Sequence, residues 1–216
     1  MKCVTDIIKY FFDKKITSVV QIGSNDGKTG DPLFETIKSN NWTVTFVEPI
    51  PYLFEKLVNN YDNDERFRFV QKAIGKGVSN FYFIDKQSGL DLNLPYWYDQ
   101  LGSFDFNHIL KHFGDSIKPY IRSIRVETIG LNDLLDDKVE LLHIDVEGYD
   151  WEVLKQLDKN KYSPKVILFE HKHLNDSDYK LCLDFLDNYS FIKFIDDTIC
   201  LNKSHNDVVL FLNSLN

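Results

Sequence analysis

The chain has 216 residues, with 25 Lys and Arg against 33 Asp and Glu, a formal charge of −8. Hydrophobic residues make up 43% and charged residues 27%, a globular balance that excludes a disordered or collagen-like chain. The length fits one compact domain spanning 1–216, a pI near 5.2 argues against binding nucleic-acid phosphates, and no apolar run nears the roughly 20 residues that cross a bilayer.

The N-terminus, MKCVTDIIKYFFDKK, interleaves apolar and charged residues and shows no signal-peptide pattern. The β-branched run Ile16–Ile22 predicts a strand ending at Gly23, followed by a helix over Asp31–Ser39. Trp42–Val47 predicts a strand and Pro49–Asn60 a helix, with Pro51 suited to its first turn. Phe67–Ile74 and Val78–Ile84 read as two strands separated by the Gly75–Lys76–Gly77 turn. The 36 residues Asp85–Tyr120 break the rhythm, with one helix expected at Phe104–Phe113, as in a lid or binding insertion. Strands then follow at Ser123–Ile129, Glu140–Ile144, Lys165–Phe169, Phe191–Ile195 and Asp197–Leu201. Helices are expected at Leu131–Leu135, Tyr149–Leu157 and Ser177–Asn188, while Val208–Leu212 fits a strand or a helix. Cys3, Cys182 and Cys200 are too scattered for a disulfide framework or zinc knuckle, so a reducing cytoplasm is the expected setting.

Alternating strands and helices imply an α/β fold with a mostly parallel sheet covered on both faces. Ligands of such sheets sit beyond the carboxyl ends of the strands, so the residues there are the candidates. After the first strand stands Gly23-Ser24-Asn25-Asp26-Gly27, whose glycines allow a tight turn and close ligand approach. It is neither GxGxxG nor a Walker A loop. After the second strand stands Glu48-Pro49, and Glu48 lies 25 residues beyond Gly23, a spacing suited to a carboxylate that accepts hydrogen bonds from a ribose diol.

Next in order, His143-Ile144-Asp145-Val146-Glu147-Gly148 gathers bases and acceptors at a strand end; Asp145 and Glu147 would serve the chemistry or merely cap the following helix. Glu170-His171-Lys172-His173 forms a second such cluster, in which His171 or His173 would take a proton from a hydroxyl. Glu170, His171 and Asp145 are alternatively candidate ligands of a divalent cation. In the insertion, His108 and His112 share a helical face at zinc-protease spacing, but no Glu follows His108. Ser103, His108, His112 and Glu170 are the residues expected to contact the acceptor.

Taken together, VVQIGSNDGKTG, TFVEPIP, FVQKAIG, LGSFDFNHILKH, LLHIDVEGYDWEVL and ILFEHKHL resemble the FkbM family of S-adenosylmethionine-dependent methyltransferases, from about Val19 to His173. The resemblance implies a Rossmann-like class I methyltransferase fold, a seven-stranded sheet whose last strand is antiparallel. It implies O-methylation of a hydroxyl on a sugar, nucleotide-sugar or related metabolite, in polysaccharide or secondary-metabolite synthesis. By the same resemblance Gly23, Ser24, Asn25, Asp26 and Gly27 would line the methionine and ribose of the cofactor, and Glu48, with Pro49 after it, the ribose hydroxyls. Lys72 and Ala73 would flank the adenine, and Asp145 would stand near the sulfonium. Where many members carry Gly-Ala-Asn-x-Gly, this chain has Gly-Ser-Asn-Asp-Gly, a conservative change.

Three rival readings remain open from sequence: a nicotinamide-dependent oxidoreductase, a metal-dependent hydrolase built on His108, His112, His171 and His173, and a non-catalytic protein that retains the cofactor fold. A nicotinamide enzyme would need GxGxxG, which is missing. The residues expected to do chemistry are Asp145, Glu147, His171 and His173, acting on a small carbohydrate acceptor rather than on nucleic acid.

Overall fold

The computed structural model describes residues 3–12, 17–62 and 64–214; Ile16, the first residue of the expected opening strand, lies outside them. The chain opens with α1 (Val4–Phe12) and β1 (Ser18–Ile22), then α2 (Phe34–Ser39), β2 (Thr43–Val47), α3 (Pro51–Asn60) and β3 (Phe67–Val70). Short β4 (Ala73–Ile74) and long β5 (Val78–Ile84) lead into α4 (Lys86–Asp91) and α5 (Phe106–Phe113). After β6 (Ile121–Ile129) come β7 (Leu141–Ile144), α6 (Asp150–Leu154), β8 (Val166–Glu170), α7 (Asp176–Phe185), β9 (Tyr189–Lys193), β10 (Asp197–Asn202) and α8 (Asn206–Ser214).

Seven strands form the main sheet in the order β3-β2-β1-β7-β8-β10-β9. The five strands from β3 to β8 run parallel, and β10, the last strand in the chain, is antiparallel to both β8 and β9. This is the class I methyltransferase sheet. The chain winds outward one way from β1 and then the other way from β7, so the switch point lies between these two central strands.

One face of the sheet packs on α1, α2 and α8, with Trp42, Phe46, Tyr61 and Phe211 in the core. The other face buries Val153 and Leu154 of α6, Cys182 of α7 and Leu186 directly after it. Helix α1 was not expected, yet Val4, Ile7, Ile8, Phe11 and Phe12 recur with helical period and are all buried, which puts Asp6 and Lys9 on the opposite side. The Val208–Leu212 run is helical, inside α8, where Phe211 meets Phe11 with ring centroids 5.1 Å apart.

A second sheet, β4-β6-β5, corrects two expectations. Phe67–Ile74 is not one strand: the chain leaves the main sheet after Val70, and Ala73–Ile74 pairs in parallel with Thr128–Ile129. The run expected at Ser123–Ile129 starts at Ile121 and belongs to this smaller sheet, antiparallel to all of β5 from Ile121 to Glu127. The insertion is therefore held at its base by a paired β5–β6 ribbon. It carries two helices and two 3-10 turns rather than one helix.

The sheet face that packs on α1 becomes polar toward its carboxyl end. Val19, Leu141 and Val166 lie side by side in the core, and two residues further come Gln21, His143 and Leu168. Asp145 follows His143 by two, Glu170 follows Leu168 by two, and Glu170 faces Asp197 across the β8–β10 pair. Side chains two apart share a face, so one apolar surface continues directly into a polar crevice.

Phe46 anchors the first face, 4.4 Å from Tyr61 and 5.6 Å from Phe69 between ring centroids. Phe46→Ala is expected to destabilise the fold by about 3–5 kcal/mol in urea titrations followed by circular dichroism; a loss below about 1 kcal/mol would contradict this packing.

Candidate active site

The loop after β1 is built around a near-contact with the end of β7. Gly23 has φ +77°, and a Cβ placed on it would lie 1.8 Å from the Asp145 carbonyl oxygen. Its N–H and that of Ser24 both donate to the Val47 carbonyl at 3.0 Å. Ser24 Oγ donates to the Gln21 carbonyl and accepts from the Val47 N–H, pinning the loop to β1 and β2. Asn25, at φ +49°, donates its N–H to Glu48 Oε2 at 2.9 Å, and the Ile50 N–H donates to Oε1 at 2.8 Å. Burial drives the Glu48 carboxyl up to about 7, against the opposing pull of those two N–H donors.

Asp26 and Gly27 shape this turn without facing a cavity: Asp26 Oδ1 accepts from the N–H groups of Lys28 and Thr29, and Gly27 packs against Leu57 and Tyr61. Above the loop, Gly23, Asn25, Glu48, Pro49, Lys72 and Ala73 all line one crevice, with about 590 Å³ of atom-free space that is partly open to solvent. Ile50, Leu53, Phe81 and Phe104 supply its apolar wall. None of these four was singled out from sequence, because apolar residues in a helix, a strand and an insertion carry no pattern that assigns them to one slot. Lys72 Nζ pairs with Glu127 at 2.9 Å at the rim. Ser103, expected on the acceptor side, lines this crevice instead; its backbone bridges to Tyr82, which holds the insertion to β5.

A second, polar crevice of about 1480 Å³, also partly open to solvent, adjoins the first. Gln21, Asp31, His143, Asp145, Glu170 and Asp197 form its floor. Gln21 Nε2 donates to Asp31 Oδ2 at 3.0 Å, and burial pushes the Asp31 carboxyl up to about 6. His143 is fully enclosed, which lowers its imidazole to about 4, and its Nδ1 has no hydrogen-bond partner. Its signal in the sequence, and that of Gln21, is a polar residue inside an apolar strand.

Glu147 organises the wall. It sits at φ +55°, with Oε2 3.3 Å from His108 Nε2 and 3.3 Å from His173 Nε2. The rings of His108, His112 and His173 lie mutually within 5.1–5.3 Å between centroids. Helix α5, capped by Asp105 on the Asn107 N–H, delivers the first two, and the chain beyond β8 delivers the third. Burial lowers both His112 and His173, which favours the neutral imidazole in each. Glu170 Oε1 lies 3.7 Å from His173 Nε2, while its Oε2 is buried with no partner. Burial, reinforced by Asp145 and Glu147, raises the Glu170 carboxyl, and burial and Glu147 raise Asp145. Neither Asp145 nor Glu147 caps α6, whose N-terminus has no side-chain cap.

One candidate base is misplaced. His171 faces neither crevice: its Nδ1 bonds Thr198 Oγ1 at 3.1 Å and its ring packs on Tyr179, 5.1 Å away. The strand extends to Glu170, so the alternation that turns Glu170 inward turns His171 away. His108 is buried on Glu147, leaving His112 and His173, with His143 in the floor, as the histidines that line the polar crevice.

The two crevices are not separate. Gly23, Asn25, Gln100, Asp145 and Glu147 line both. The insertion closes over this junction: Asn25 Nδ2 donates to the Asp99 carbonyl, and Gln100 Nε2 to that of Thr29. Gly23→Ala is expected to lower stability by at least about 2 kcal/mol in thermal melts, because the left-handed backbone and the Asp145 carbonyl both oppose a Cβ. Unchanged melting would contradict the near-contact.

A family model described as the methyltransferase FkbM domain matches residues 21–214. Among solved structures, the chain is similar to a methyltransferase FkbM from Methylobacillus flagellatus KT, at 14% identity and TM-score 0.53, covering 86% of this chain and 43% of that one. It thus spans less than half the length of that structure. It is also similar to the N-methyltransferase NodS from Bradyrhizobium japonicum WM9 in complex with S-adenosyl-L-homocysteine, at 7% identity and TM-score 0.48, covering 92% and 84% of the two chains. A third is the ribosomal protein L11 methylase from Lactobacillus delbrueckii subsp. bulgaricus, at 9% identity and TM-score 0.47, covering 91% and 74%. No curated protein matches the chain. No helix among the described residues is long and apolar enough to cross a membrane.

Proposed function

The chain belongs to the FkbM methyltransferase family, and from that premise we propose that it transfers a methyl group from S-adenosylmethionine to a hydroxyl of a neutral carbohydrate or similar polyol. The observation that carries this reading is the shared wall: an apolar slot holding the buried Glu48 carboxyl opens onto a polar crevice at Gly23, Asn25, Asp145 and Glu147.

The first crevice suits the cofactor by its donor set. In this reading Glu48 accepts the ribose hydroxyls, Ile50, Leu53, Ala73 and Phe81 enclose the adenine, and the loop from Gly23 to Asn25 lies against the methionine part. Bound there, S-adenosylmethionine supplies an electrophilic methyl group on a sulfonium. The chain has to align an acceptor oxygen with it, exclude water and take up the hydroxyl proton.

His112 is the proton acceptor. Nε2 of His173 and Nε2 of His108 are both held by Glu147, whereas His112 makes no hydrogen bond among the described residues and lines the acceptor crevice. Burial keeps its imidazole neutral, and Glu147 offsets the charge it gains on taking up a proton. Asp145, at the junction, orients the acceptor hydroxyl. The acceptor itself is uncharged: acidic side chains, among them Asp31, Asp145, Glu147 and Glu170, line this crevice, and its one lysine, Lys172, pairs with Asp196, so no positive side chain is free to hold a phosphate or nucleotide-sugar. Such a reaction belongs to polysaccharide or secondary-metabolite synthesis.

Incubation of the chain with S-adenosylmethionine and a panel of neutral sugars and nucleotide-sugars tests this by mass spectrometry. Neutral sugars should gain the mass of one methylene; methylation confined to nucleotide-sugars would overturn the acceptor class, and no cofactor binding would overturn the reading. His112→Gln should lower kcat about 100-fold or more while leaving cofactor affinity unchanged. Cofactor affinity should also weaken as pH falls through about 7, because Glu48 is then protonated and loses acceptor capacity. Glu48→Gln should flatten that dependence, and a pH-independent wild-type affinity would contradict the role of Glu48.

A further inference from the structure

The geometry points to a divalent-cation site, of the Mn²⁺ type, formed by Glu147, Glu170 and His173 in the wall of the acceptor crevice. Each residue offers one ligand atom, and the three atoms lie within 4.8 Å of one another. His173 Nε2 is 3.3 Å from Glu147 Oε2 and 3.7 Å from Glu170 Oε1, so three donors already converge on one small volume.

A second observation is independent of that clustering. Glu170 is 8% exposed, lines the crevice, and its Oε2 has no hydrogen-bond partner. A buried carboxyl oxygen without a partner calls for a hydrogen-bond donor or a cation. The local lysine does not meet the demand, because Lys172 pairs with Asp196 at 3.6 Å. His108 Nε2 donates to Glu147 Oε2 at 3.3 Å, which fixes the direction of that carboxylate as an outer partner does in metal sites.

The donor set selects the ion. Two carboxylates and one imidazole are too few oxygens for Ca²⁺, which takes six to eight, and they lack the thiolates of structural zinc sites. Carboxylates suit Mn²⁺ and imidazole suits first-row transition ions, so a mixed set fits Mn²⁺ or a close relative. Three protein ligands leave positions for water or for the oxygens of a polyol. The site stands without the methyl-transfer reading; its service does not. If methyl transfer occurs as proposed, the cation holds the acceptor oxygen and acidifies its proton, and His112 receives that proton.

The test uses the full chain stripped with EDTA, with neither S-adenosylmethionine nor acceptor present. Titration with MnCl₂, followed by calorimetry and by loss of the free-ion paramagnetic signal, should give one saturable site per chain. Glu147→Gln and Glu170→Gln should each weaken binding at least tenfold, and His171→Ala, outside the crevice, should leave it unchanged. Mn²⁺ should raise the melting temperature of the wild type and not of Glu170→Gln. The ion-free Glu170→Gln chain should melt no lower than the ion-free wild type, showing that it is folded. No saturable binding, or wild-type affinity in Glu170→Gln, overturns the site. Mn²⁺ binding without methyl transfer would overturn the proposed function and leave the site standing; EDTA-insensitive methyl transfer without Mn²⁺ binding would do the reverse.

Discussion

The arrangement depends on one close approach, that of the Gly23 backbone to the Asp145 carbonyl, where a side chain would lie 1.8 Å from the oxygen. β1 and β7 are the central strands from which the chain departs in opposite directions. Drawing their ends together while their following segments diverge opens the switch-point crevice on both sides of a single seam. The apolar slot lies on the β2 side and the polar crevice on the β8 side. Residues of the seam, Gly23 and Asp145 among them, therefore belong to both. A group-transfer enzyme needs that: two ligands that meet across a narrow line of backbone, each with its own chemistry.

Charge divides along the same seam. On the slot side Glu48 is held by two backbone N–H groups and is raised by burial, and Asp99 pairs with Lys56. On the other side several carboxylates crowd around Glu170 and Asp145, and their mutual repulsion adds to desolvation. Two unit charges about 4 Å apart at an effective dielectric of 20 interact by about 4 kcal/mol, so such crowding without a counter-charge is a substantial liability. Of the three clustered histidines, His108 and His173 contact one of these carboxylates, Glu147, through Nε2, and His112 packs on both rings instead. Within this cluster His112 makes no hydrogen bond among the described residues, and Glu170 Oε2 has no partner.

Much of this was legible in the sequence, for physical reasons. Parallel strands buried on both faces read as apolar runs, and residues directly after them fall at the ligand edge, which is why Gly23, Glu48 and Asp145 stand where their positions implied. His171 and His173 could not be told apart, because residues two apart are alike under strand alternation; only the turn after Glu170 brings His173 to Glu147 while His171 stays on Thr198 and Tyr179. The second sheet was hidden because Phe67–Ile74 is continuously strand-like, and only long-range pairing with Thr128 and Ile129 shows where it divides. The histidine cluster unites residues some 65 positions apart in sequence, His108 and His173, and a spacing rule cannot foresee it. Helix α1 was present as a period of 3.6 within a segment whose interleaved charges masked it.

The central claim is that the apolar slot holds the methyl donor with its sulfur turned toward the acidic crevice. The most direct measurement is a crystal structure of the chain with S-adenosyl-L-homocysteine. The account predicts ribose hydroxyls on Glu48, adenine between Ile50 and Phe81, and the sulfur at the seam beside Asp145. Density for the ligand in the polar crevice, or at a site away from Glu48, would contradict it.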